Sequence, residues 1–184
     1  YPPAPVTASG TGVLIQLNFP ISEKARSSIP PGTSVAAKPI AGKLHSTQVG
    51  AIAVLDAPNY SRESGRHGYM APMAFYREAG GNIYFLERYD PARIPIVFVH
   101  GIAGSPQDWR YFFDHLDRKR YQPWFFFYPS GASLDSISHL LYWKLINLQR
   151  RYHFDRLYFT AHSMGGLVVR SFLANPEFHF PAAK

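Results

Sequence analysis

Residues 157–166 read Leu157-Tyr158-Phe159-Thr160-Ala161-His162-Ser163-Met164-Gly165-Gly166. Leu157 to Ala161 form a short apolar strand candidate, and Met164 to Ala174 a helix candidate that stops before Pro176. A serine at so short a strand-to-helix junction is forced onto a sharp turn with strained backbone angles. Its hydroxyl is pushed out above the edge of the sheet. Such a turn demands small residues two positions either side of the serine, and Ala161 and Gly165 meet that demand. The Met164 N–H opens the helix, where unpaired donors and the dipole favour an anion.

Working upstream, Ile96-Val97-Phe98-Val99 is a continuous apolar run of the kind buried on both faces of a sheet. It ends at His100-Gly101. Ser105-Pro106-Gln107-Asp108 then reads as a helix start, with Ser at the N-cap, Pro at the first position and an acid at the third. Trp109, Phe112, Phe113 and Leu116 follow at helical spacing. Trp124 to Tyr128 (WFFFY) is a further buried strand, closed by Pro129-Ser130-Gly131. A helix from about Leu134 to Tyr152 carries the stripe Ile137, Leu141, Leu145 and Leu148. Strand and helix alternate three times, so the expected class is α/β, with a mostly parallel sheet and helices on both faces.

The N-terminal part is less strongly patterned. Residues 1–10 are Pro-rich and read as a linker, with a short strand at Val13–Leu17. Gln48 to Asp56 is a strand candidate, residues 57–80 a loop by composition, and Asn82 to Arg88 a strand. Residues 1–45 are accordingly expected to form a linker and strand region. Residues 46–184 are expected to form a partial α/β domain, the N-terminal half of its core, without its later strands.

Composition is globular: 46% hydrophobic and 16% aromatic residues. The formal charge of +7 does not call for nucleic acid, because Arg118-Lys119-Arg120 and Arg150-Arg151 sit near helix ends, where cations complement the dipole. With no cysteine, a thiolate nucleophile, disulfides and thiolate zinc are excluded. No run of eighteen apolar residues is present.

Acyl transfer needs a second donor for the developing oxyanion. His100-Gly101-Ile102-Ala103-Gly104-Ser105 offers one in the Ile102 N–H, just past the neighbouring strand. Gly101 and Gly104 would let backbone approach a ligand closely. HGIAGS at 100–105 and AHSMGG at 161–166 together resemble the α/β-hydrolases of the bacterial lipase and esterase group. The resemblance covers roughly residues 82–175. Ala161 replaces the first glycine of the G-x-S-x-G pattern, as in a branch of small bacterial lipases.

The resemblance implies that Ser163 is the nucleophile and that Ile102 and Met164 form the oxyanion hole. His100, Gly101 and Gly165 would support the loops. It implies a carboxylic-ester hydrolase acting on a small-molecule or lipid ester, with no cofactor. Peripheral contact with membrane lipid and an extracytoplasmic place would follow. Alternatives on the same fold are an acyltransferase, a thioesterase, a lipid deacylase related to GPI inositol-deacylases, or a binding protein without turnover.

In this family the acid and the histidine follow the nucleophile on later strands. After Ser163 the sequence has only Glu177 and His179, both too early, so the base and acid are expected beyond Lys184. The sheet edge after residue 161 is then expected to lie uncovered. His162 is expected to serve packing or the loop rather than to act as the base. His115, His139 and His153 are expected at helix surfaces. The stretch with Tyr60, Tyr69, Met70, Met73, Phe75 and Tyr76 either flanks the acyl site or packs over the core edge. No metal-ligand spacing, phosphate loop or dinucleotide fingerprint is present.

Overall fold

Three apolar strands form the centre of the sheet: β5 (Ile94–Val99), β6 (Tyr121–Phe127) and β7 (Arg156–His162). β5 lies between the other two and is parallel to both. The computed structural model describes residues 7–9, 12–18 and 48–175. Flanking strands are β1 (Thr7–Ser9), β2 (Gly12–Asn18), β3 (Ala51–Ile52) and β4 (Asn82–Phe85). Together they form one seven-stranded sheet in the order β1-β2-β7-β5-β6-β4-β3. β4 runs antiparallel to β6, and β3 runs parallel to β4. The hairpin β1–β2 runs antiparallel along β7, from Gly12 opposite His162 to Asn18 opposite Arg156.

The helices are α1 (Arg62–Met70), α2 (Pro72–Glu78), α3 (Arg110–His115), α4 (Leu134–Tyr152) and α5 (Met164–Ala174). Short 3-10 turns at Pro58–Tyr60 and Pro106–Trp109 lead into α1 and α3. Successive strand residues point to opposite faces. On β6, Trp124 and Phe126 enter one core, packed with Leu141 and Leu145 of α4 and Val168 and Phe172 of α5. Phe125 and Phe127 enter the other core, with Tyr60, Phe75, Trp109 and Phe113. The fold is therefore α/β with helices on both faces, consistent with an α/β-hydrolase-like arrangement. No helix among the described residues is long and apolar enough to cross a membrane.

Several elements differ from the sequence expectation. Residues 57–80 are helical rather than loop. Ser61 caps α1 by accepting from the Ser64 N–H, and Pro72 opens α2 at its first turn. The glycines that suggested a loop mark close packing instead: a Cβ on Gly65 would lie 2.3 Å from the Gly104 carbonyl oxygen. The expected strand 48–56 shrinks to Ala51–Ile52, since Gly50 turns at φ 79° and β3 meets only Tyr84 and Phe85. Residues 7–9, expected in a linker, form β1. The capping box at Ser105 and Asp108 is present, but it opens a 3-10 turn. Trp109 and Phe113 are buried, whereas Phe112 is exposed. The edge of β7, expected bare, is paired with β2. Residues 177 and 179 lie outside the described residues.

The chain leaves β5 for α3 on one face and leaves β7 for α5 on the other. Adjacent parallel strands whose connections diverge in this way open a gap beyond their carboxyl ends, where α/β proteins bind ligands.

Leu145 of α4 is fully buried. Leu145→Ala should lower the unfolding free energy by about 2–5 kcal/mol in urea titrations. A loss below about 0.5 kcal/mol, the range of neutral surface changes, would contradict this packing.

Candidate functional site

Ser163 stands where β7 becomes α5, with φ 54° and ψ −125°. This backbone region is disfavoured for any residue bearing a Cβ and costs about 1–3 kcal/mol. Close contacts hold it. A Cβ on Gly165 would lie 2.3 Å from the Val99 carbonyl oxygen and 2.6 Å from that of His100. The first turn of α5 thus rests directly on the end of β5, at a distance only glycine permits. From the other side, a Cβ on Gly101 would come within 3.0 Å of the Ser163 Cβ. The loop after β5 and the turn after β7 are in contact. Gly166, by contrast, faces open space.

The Ser163 side chain is exposed, and its hydroxyl makes no hydrogen bond among the described residues. Met164 begins α5, so its N–H has no intrahelical partner. The Ile102 N–H is likewise unpaired among the described residues, while Gly104 donates to the Gly101 carbonyl at 3.1 Å. Ala103 adopts a left-handed φ of 52°. The side chain of Ile102 is exposed.

His100 is buried beneath this loop. Its Nε2 accepts from the Tyr128 N–H at 3.4 Å, which leaves Nδ1–H to donate to the Gly101 carbonyl at 2.8 Å. The Tyr128 hydroxyl donates to the His100 carbonyl, and the two rings stack at 4.1 Å. Burial lowers the His100 pKa to about 4, only partly offset by the Gly101 hydrogen bond and the Asp108 charge. His100 is thus neutral, and both ring nitrogens are engaged in holding the loop. Burial also pushes the Tyr128 phenol upward, so it stays protonated.

The other histidines are dispersed. His162 is exposed, with its Nδ1 beside Gly101, so it borders the loop rather than packing in the core. His115 and His139 bond to backbone carbonyls one turn back on their own helices. His153 caps α4 in a left-handed conformation instead of lying on it. No cluster of His, Asp or Glu suited to a metal ion occurs among the described residues.

The aromatic stretch before β4 divides. Tyr60 and Phe75 belong to the core, whereas Tyr69, Met70, Met73 and Tyr76 are exposed. The backbone of α1 packs against Gly104 and Gly131, which follow β5 and β6. Tyr128 and Ser130 were read only as the end of a strand and part of a turn. Here they hold the loop after β5, since the Ser130 Oγ accepts from the Ala103 N–H at 2.9 Å. Their one sequence signal was a polar turn directly after a buried strand adjoining a glycine-rich loop.

The family model described as "Putative serine esterase (DUF676)" matches residues 94–182. The match supports a serine hydrolase. It spans β5 through α5 and so includes both contacting turns. Among curated proteins and solved structures nothing matches.

Two outcomes follow from this geometry. Gly165→Ala should lose folded protein or melt well below the wild type, because a Cβ would meet backbone carbonyls that cannot give way. A variant that melts like wild type would contradict the close approach. For His100, the unfolded value near 6.5 exceeds the folded value of about 4, so the unfolded state binds more protons between them. Stability should therefore fall by about 3 kcal/mol as pH drops from 6.5 to 4. His100→Asn keeps a donor for Gly101 and does not titrate. Parallel denaturation curves of wild type and variant across this window would refute the assignment.

Proposed function

We propose that this chain is a carboxylic-ester hydrolase in which Ser163 is the nucleophile. The carrying observation is the strained backbone of Ser163 at the β7–α5 junction, with its hydroxyl exposed. A non-glycine residue holds such angles only where surrounding contacts impose them, and such strain clusters at functional sites.

In this reading the Ser163 oxygen attacks the ester carbonyl and gives up its proton to a base. The carbonyl becomes an oxyanion held by the N–H groups of Ile102 and Met164. Both amides lack protein partners among the described residues, which supports the assignment. Collapse breaks the ester C–O bond, the alcohol leaves with a proton, and an acyl-enzyme remains. Water then attacks the acyl carbon, releases the carboxylic acid and restores the serine. The steps need no cofactor. Gly101 and Gly165 serve by allowing the two turns to meet, and His100 serves by holding the loop while neutral.

The general base is a separate requirement, since an unassisted hydroxyl is a weak nucleophile. Among the described residues none bonds to the Ser163 hydroxyl. His100 is excluded by its engaged nitrogens. The exposed Ile102 side chain favours a substrate with an apolar acyl group, which agrees with a lipase- or esterase-like substrate.

The test is turnover of p-nitrophenyl butyrate by the full-length protein and its Ser163→Ala variant. Loss of the nucleophile should lower turnover on the order of 10⁶-fold. A folded alanine variant retaining a tenth of the rate would rule out Ser163.

A further inference from the structure

The loop after β5 contains three consecutive amides, and their partners can be counted. Gly104 N–H donates to the Gly101 carbonyl, closing the turn. Ala103 N–H donates to the Ser130 Oγ at 2.9 Å. Ile102 N–H alone has no partner among the described residues. A backbone donor without a protein partner is available to a ligand oxygen.

From this count we infer that Ser130 is a positioning residue of the acyl-transfer site, which holds the turn so that the Ile102 amide faces the reacting carbonyl. The inference rests on the proposed function. Ala103 is in the left-handed region, which a residue with a Cβ does not adopt without support. The Ser130 hydroxyl oxygen supplies that support at the amide itself. Without an acceptor, the partly buried Ala103 N–H would be unsatisfied. Rotating the Ile102–Ala103 peptide relieves it, and the adjoining peptide that carries the Ile102 N–H is then no longer fixed.

Ser130 can act in this way because it is itself held rigidly. It is buried, and the next residue is clamped to α1: Gly131 N–H donates to the Gly68 carbonyl at 3.1 Å. A Cβ on Gly131 would fall 2.0 Å from the Tyr69 carbonyl oxygen, so no other residue fits there. The chain from α1 through Gly131 and Ser130 to Ala103 thus links the helical segment before β4 to the loop after β5. Tyr128, two residues earlier, ties down His100 at the start of the same loop. The segment after β6 therefore braces the loop at two points, His100 and Ala103.

The experiment compares full-length wild type, Ser130→Ala and Ser130→Cys, with rates divided by active sites titrated with a fluorophosphonate. Both variants should lower kcat at least about tenfold, less than the 10²–10³ lost with an oxyanion donor itself. KM should stay within about twofold, since ground-state binding does not use the oxyanion amide. Inhibition by an aryl trifluoromethyl ketone, whose serine adduct carries an oxyanion, should weaken by the same factor as kcat. A purely structural role would lower the melting temperature and leave kcat per titrated site unchanged, and that result would overturn the inference. Cysteine keeps the side-chain shape and removes the good acceptor, so a folded Ser130→Cys with wild-type kcat would overturn it even if the alanine variant failed to fold. Turnover unaffected by Ser163→Ala would instead remove the reading on which the inference depends.

Discussion

Gly165 against the carbonyl oxygens of Val99 and His100 is the contact on which the rest of the site depends. It brings the start of α5 onto the end of β5. A helix that begins so close to a parallel strand cannot be joined to β7 by a relaxed loop. The single residue between them, Ser163, takes up the mismatch as backbone strain. Gly101 completes the contact from the opposite loop. Glycines in the loop after β5 and in the first turn of α5 thus let the two turns meet beside an exposed serine.

The aromatic core supplies the rigidity that such strain requires. Phe98 and Trp109 pack edge to face beneath the loop after β5, and Phe85 stacks on Trp124 at 4.2 Å. Rings in these geometries add to the burial term and resist small displacements. His100 is neutral by burial, and its two nitrogens have fixed roles in holding the loop.

Much of this was legible in the sequence because the signals were local. The stripe Ile137, Leu141, Leu145, Leu148 gave α4 from Leu134 to Tyr152, and the structure has those bounds. Ser163 between a strand and a helix was visible from the small residues around it. The segment 57–80 was not legible, since Gly65 and Gly68 mimic loop punctuation. Their reason is tertiary: Gly65 sits against Gly104, and Gly68 against Phe75. The hydrogen bond from Ala103 to Ser130 was also invisible, because it spans two strands and no period in the sequence encodes it. Residues 7–9 carried no strand signal of their own and are extended only by pairing with β2. Local rules succeeded where one element determined its own form and failed where two distant backbones met.

The account turns on Ser163 being an activated nucleophile. The most direct measurement is peptide mass mapping of the native full-length protein after reaction with a fluorophosphonate. The account predicts one adduct, on Ser163, which is absent when the protein is unfolded in urea before labelling, because free serines do not react. Labelling at another serine, or none at Ser163 under conditions where the ester is turned over, would contradict it.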